Sequence, residues 1–183
     1  NLNMAVIRLS RPNQTWALAL VSSFANPKAP TTTELNDRRF VHLISCALTE
    51  DATSLTRGDS QIDNTLTFCS IGNEATVVQA NVTASISWLR DANTGGSGST
   101  VDLTSLYNKV TAMLDGPDIP YWFISRTGPN ASQDTAFAVG HKIKMARFLT
   151  DYPIDNLAVN TPIRGTQAMV FQGDSNWNYT IAS

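Results

Sequence analysis

Residues 76–126 place the tightest demand on any fold this chain can adopt. Val82, Ala84, Ile86 and Trp88 fall on one parity and Thr83, Ser85 and Ser87 on the other, the period-two alternation of a strand with one buried face. The strand runs into Asp91-Ala92-Asn93-Thr94-Gly95-Gly96-Ser97-Gly98, too rich in Gly and Asn to hold either regular period. A helix is expected next. Leu103, Leu106, Val110, Met113 and Leu114 recur on one side of a 3.6-residue repeat, while Tyr107, Asn108, Lys109 and Thr111 lie away from it. Thr100 or Asp102 supplies the N-cap oxygen, and Asp115-Gly116-Pro117 supplies a left-handed stop followed by a residue that cannot extend a helix. Residues 119–126, with Tyr121-Trp122-Phe123-Ile124 at their centre, then read as an aromatic strand ending at the turn Gly128-Pro129-Asn130.

The remainder of the chain adds strands to this unit. Ala5-Val6-Ile7 is a short apolar strand, and residues 16–24 are apolar on both parities. Asn26-Pro27-Lys28-Ala29-Pro30 breaks regular structure and, with Thr31-Thr32-Thr33, makes an extended arm near residues 26–33; a brief helical turn is expected to open at Thr33. Residues 40–48 resume strand character, residues 51–63 form a polar exposed loop, and residues 66–71 alternate before a turn at Gly72-Asn73. Residues 136–149 form the longest strand expected, with Phe137, Val139, His141, Ile143, Met145 and Arg147 on one parity. Residues 166–172 and 177–181 close the chain as two further strands. The pattern predicts one domain, residues 1–183, mainly β, an antiparallel sandwich or barrel with one flanking α-helix. Long antiparallel strands with few charges leave sheet edges open to pairing with another chain.

Composition narrows the function classes. Hydrophobic residues make up 42% of 183, enough to bury a core, and only 15% are charged, with a formal net charge of −2. Binding that relies on neutralising phosphate needs a basic surplus, which this chain lacks. No apolar run approaches membrane-spanning length and no leader pattern opens the chain, so a soluble protein made in the cytoplasm is expected. Cys46 and Cys69 sit in strand-like apolar segments and read as two buried, unbridged thiols. Asn-X-Ser/Thr triplets at Asn13, Asn81, Asn130 and Asn178 occur about as often as chance gives in a chain this rich in Asn, Ser and Thr.

Catalytic chemistry finds no footing. His42 and His141 are the two side chains suited to neutral-pH base work, and both lie in alternating segments where a structural histidine is the expected reading. No nucleophile elbow, zinc-binding helix or spaced Cys/His set is present, so no catalytic, cofactor or metal residues are assigned. Gly95-Gly96-Ser97-Gly98 lacks the Lys and Ser/Thr of a phosphate loop and reads as a loop excursion near residues 93–99. Glu50-Asp51 and Asp59 to Asp63 do not match the spacing of a calcium loop. Arg57-Gly58-Asp59 carries no functional weight. Trp16, Trp88, Trp122 and Trp177 would suit a sugar-stacking platform if exposed, but Trp88 falls on the apolar parity of its strand.

The order of these elements resembles the major tail, or tail tube, protein of long-tailed bacteriophages of the siphophage type. The likeness covers roughly residues 40–172. It rests on Ala84-Ser85-Ile86-Ser87-Trp88-Leu89-Arg90, the loop and lone helix to Leu114, the aromatic strand Tyr121-Trp122-Phe123-Ile124-Ser125-Arg126, and Ala138-Val139-Gly140-His141-Lys142-Ile143. The resemblance implies a non-enzymatic virion protein made in the bacterial host cytoplasm. Six copies would form a ring lined by a continuous β-barrel, and rings would stack into a tube that carries DNA. Tape-measure and tail terminator proteins are the implied partners. Pro27, Pro30, Thr32, Gly95, Gly96 and Gly98 are then the candidates for contacts between rings. Asp51, Asp59, Asp63 and Glu74 are the candidates for an acidic lumen along which phosphate slides without being gripped. Two other readings share the texture: a secreted carbohydrate-binding β-sandwich, and another virion β protein such as a tail terminator or a capsid decoration protein.

Overall fold

A computed structural model describes residues 14–63, 76–91, 104–128, 136–157, 160 and 162–182. Among them the chain forms β1 (Gln14–Leu20), α1 (Thr32–Leu35), β2 (Val41–Leu43), β3 (Ser54–Arg57), β4 (Gln61–Asp63), β5 (Thr76–Gln79), β6 (Val82–Leu89), α2 (Leu106–Met113), β7 (Pro120–Thr127), β8 (Lys142–Leu149), β9 (Ile154–Asn156) and β10 (Arg164–Thr180). The strands pair antiparallel throughout, so the expected mainly-β class stands. Their order is β2-β1-β7-β8-β10-β6-β3, an open sheet with β9 beside β10, while β4 and β5 form a separate ribbon.

Strand β10 joins the two halves of this sheet. Its first six residues pair with β6, and from Val170 onward it pairs with β8. The two strands expected here are one 17-residue strand. Gly173 at φ 77 and Asn178 at φ 58 take left-handed conformations close to two register shifts against β8. Such bulges keep a strand continuous while scrambling its period-two pattern.

Alternation across β1, β7 and β8 feeds two cores. Leu18, Tyr121, Phe123, Ala146 and Phe148 face one cluster, closed by Ile86 and Trp88 of β6 and Val110 of α2. Ala17, Ala19, Trp122, Ile124, Ile143 and Met145 face the other, closed by Phe24, Leu35, Phe137 and Ile181. The middle of the sheet is therefore covered on both sides, and residues 121–126 are buried without interruption. Helix α2 is tied to the first core by the Trp88 Nε1–H, which donates to Thr111 Oγ1 at 3.0 Å, and by the Tyr121 hydroxyl, which donates to the Met113 carbonyl at 3.1 Å.

Several elements differ from expectation, each for a local reason. The strand expected over 40–48 stops at Leu43, because Ser45 takes over the ladder: its Oγ accepts from the Trp16 N–H at 2.8 Å and bonds the Trp16 carbonyl at 3.3 Å. A 3-10 turn at Ser45–Ala47 follows and carries Cys46 to the surface, so the expectation of a buried thiol there fails. The polar stretch 51–63 contains strands β3 and β4, and Leu55 of β3 is buried against β6. Strand β8 begins at Lys142, since residues 136–141 turn through Gly140 at φ 87 with the His141 N–H bonded to the Ala138 carbonyl. Helix α1 is capped by Thr31 instead of opening at Thr33. In α2, Asn108 is buried although it lies off the apolar stripe. The Ser105 hydroxyl turns from the start of that helix to the Asp91 carboxylate. Thr100 and Asp102, Ala5-Val6-Ile7, residues 66–71 and Cys69 lie outside the described residues.

Candidate assembly surfaces

The segment expected to be an arm is laid down on its own subunit. Lys28 Nζ donates to Asp174 Oδ1 at 2.7 Å and to the Ser175 carbonyl at 3.0 Å, and Asn176 Nδ2 donates to the carbonyls of Pro27 and Lys28. Pro30 is buried, Pro27 is half-buried, and Thr32 begins α1. Glu34 ties the loop together by accepting from the N–H groups of Ala25 at 2.8 Å and Thr31 at 2.9 Å. Partial burial works against the charge on Glu34, and these hydrogen bonds outweigh it, holding the carboxyl below its ordinary range.

Of the four acidic candidates, the side chains of Asp51 and Asp59 are described, and both are exposed. Asp51 is exposed and paired with Arg164 at 2.5 Å; hydrogen bonds from Arg164 and then Thr49 lower its pKa. Asp59 is exposed just past the far end of β3, so that strand, about 13 Å long at 3.3 Å per residue, separates it from Asp51. Asp63 ends β4 opposite Thr76. Glu74, Gly95, Gly96 and Gly98 lie outside the described residues.

Two surfaces stand out that the sequence reading did not single out. One is a groove of about 330 Å3 between β2 and α2, floored by Leu43, Leu106 and Met113 and flanked by Arg38, His42 and Lys109. The other surrounds β9, where Tyr152, Ile154 and Leu157 are 68%, 73% and 71% exposed and Ile163 is half exposed beside them. The sequence carries a faint signal for the second: residues 151–163 mix large apolar side chains with Pro, Asn and Asp and follow no period that would bury them. Strands β2, β3 and β9 each have an outer edge that pairs with no further strand among the described residues.

Both histidines hold structural positions. His141 Nδ1 accepts from the Ala138 N–H at 3.1 Å and lies 3.1 Å from Arg126 Nη1, so its proton resides on Nε2. Burial and then the Arg126 charge lower its pKa. Arg126 is itself buried, bonded to Thr15 Oγ1 and the Ala136 carbonyl, with its guanidinium 4.7 Å from the Phe137 ring centre. His42 is half-buried in the groove, and burial followed by the Lys109 charge lowers its pKa. The tryptophans form no exposed row. Trp88 and Trp122 are buried, Trp16 stacks on Phe123 at 5.0 Å, and Trp177 lies under Lys144.

No curated protein matches the chain. The profile of the family described as Phage tail tube protein matches residues 4–183. That span takes in every strand and both helices described above, and the chain therefore belongs to the phage tail tube protein family, a structural component of the virion tail.

Proposed function

We propose that this chain is the repeating subunit of the tail tube, with six copies closing into a ring, rings stacking into a tube, and DNA leaving the capsid through its lumen. The observation that carries the reading is the family match over nearly the whole sequence. Two features of the subunit support it. Its unpartnered strand edges are of several kinds, and contacts between unlike surfaces propagate head to tail, as rings and stacks require. Its formal net charge of −2 suits a passage that repels phosphate weakly and does not hold it.

Asp51, Asp59, Asp63 and Glu74 are the acidic groups proposed for the lumen. Pro27, Pro30 and Thr32, with Gly95, Gly96 and Gly98, are proposed for contacts between rings. In that arrangement the 26–33 segment meets the next ring as a preformed loop, since Lys28 and Asn176 already hold it in place. The subunit performs no reaction. Tape-measure and tail terminator proteins would meet the tube along its lumen and at its end. Sedimentation velocity and negative-stain microscopy of the purified chain, alone and with those partners, test the reading. Rings or tubes of uniform width are expected; a chain that stays monomeric at every concentration and with every partner overturns it.

A further inference from the structure

We propose that the β9 segment, residues 151–157, of one copy seats in the β2–α2 groove of the neighbouring copy in the same ring; the inference rests on the tail-tube reading. Four observations point to a second copy as the occupant. First, the two surfaces match in polarity. Tyr152, Ile154 and Leu157 stand exposed together, and the groove has an apolar floor of Leu43, Leu106 and Met113 wide enough, at about 330 Å3, to receive a large side chain.

Second, their charges are of opposite sign. Arg38 and Lys109 flank the groove and no carboxylate lines it. Around β9, Asp51, Asp151 and Asp155 stand against Arg164 and Arg90, three negative charges against two positive, leaving one in excess. Third, each surface is bordered by a three-residue strand whose outer edge pairs with no further strand among the described residues, β2 at the groove and β9 at the patch. Seating one surface in the other brings these edges within reach of main-chain pairing. Fourth, the groove and the patch are built from different elements, β2 with α2 in one case and β9 with Ile163 in the other, and each stands open in the subunit. Contact between unlike surfaces is heterologous, and it closes a ring when the rotation between copies closes.

Cross-linking of the full-length chain tests this. Lys109→Cys and Ile154→Cys are combined in a Cys46→Ser, Cys69→Ser background and treated, after assembly, with a short bismaleimide. The expected result is a ladder on denaturing gels that stops at the size of one ring, absent from either single variant. Ile154→Asp, whose side chain is exposed in the subunit, should keep the wild-type melting temperature yet raise the concentration for half-assembly at least tenfold. Rings that form without cross-linking, a ladder that continues past ring size, or an Ile154→Asp chain that assembles like wild type would each overturn the docking while leaving the tail-tube reading intact. A wild-type chain that never assembles, even with tail partners, overturns both.

Discussion

Gly165 has no side chain because Trp88 occupies the space one would need: a Cβ there would lie 2.7 Å from Trp88 Cζ2 and 2.9 Å from Cε2. The indole is fully buried and held by its bond to Thr111, so it has no room to retreat. Gly165→Ala is therefore expected to cost about 1–3 kcal/mol, read as a lower denaturant midpoint with an unchanged slope. The histidines give a second residue-scale expectation. Both have folded pKa values below the ordinary 6.5, so the unfolded chain binds more protons as pH falls through that value. Stability is then complete above about pH 6.5 and declines below it. Protonating His141 would also put a hydrogen on the nitrogen that accepts from Ala138 and set a cation against Arg126. Glu34, Asp37 and Asp51 are shifted downward as well, but their contribution is present above the unfolded carboxylate values, 3.8 to 4.5, and is lost only under more acid conditions. The melting temperature should thus fall between about pH 7.5 and pH 5.5, and a His42→Gln, His141→Gln double variant should flatten the slope.

At the scale of elements, the second core depends on short pieces that would not hold their shape alone. Helix α1 has four residues, far below the length at which an isolated helix persists in water. It is kept by the Thr31–Glu34 capping box and by Leu35 inserted against Trp122 and Phe137. Just beyond it, Asn36 grips the backbone of Phe137 on both sides, donating from Nδ2 to the carbonyl and accepting at Oδ1 from the N–H, each at 2.8 Å. Asn36→Ala should cost about 1–3 kcal/mol, since it strands a peptide group that is otherwise paired. Hydrogen exchange should accelerate at residues 136–141 more than in β7. The element scale also shows what could be read in advance. Strand β6 and most of β7 follow from alternation and aromatic content, and the core face of α2 from its 3.6-residue stripe. Strand β10 could be read only as two pieces, because its bulges near Gly173 and Asn178 interrupt the periodicity that announces a strand.

For the molecule as a whole, the centre of the sheet is closed on both faces while its margins are not. Strands β1, β7 and β8 are paired on both sides and covered by two cores, whereas β2, β3 and β9 are short and marginal. Hydrogen exchange of subunit and assembly should divide along this line. Amides of β7 and β8 are expected to be slow in both states, and amides of residues 41–43 and 154–157 to slow at least tenfold on assembly. Equal rates at those margins in the assembled protein would place the contacts elsewhere. Periodicity and turn chemistry by themselves determined the antiparallel class and the order strand, helix, strand over β6, α2 and β7, because these depend on neighbours a few residues apart. Only the tertiary structure decided that the sheet is buried on both faces and that residues 26–33 are fastened to β10. Those features join residues about a hundred or more positions apart, such as Lys28 with Asp174 and Asn36 with Phe137, and no local pattern encodes which distant segments will meet.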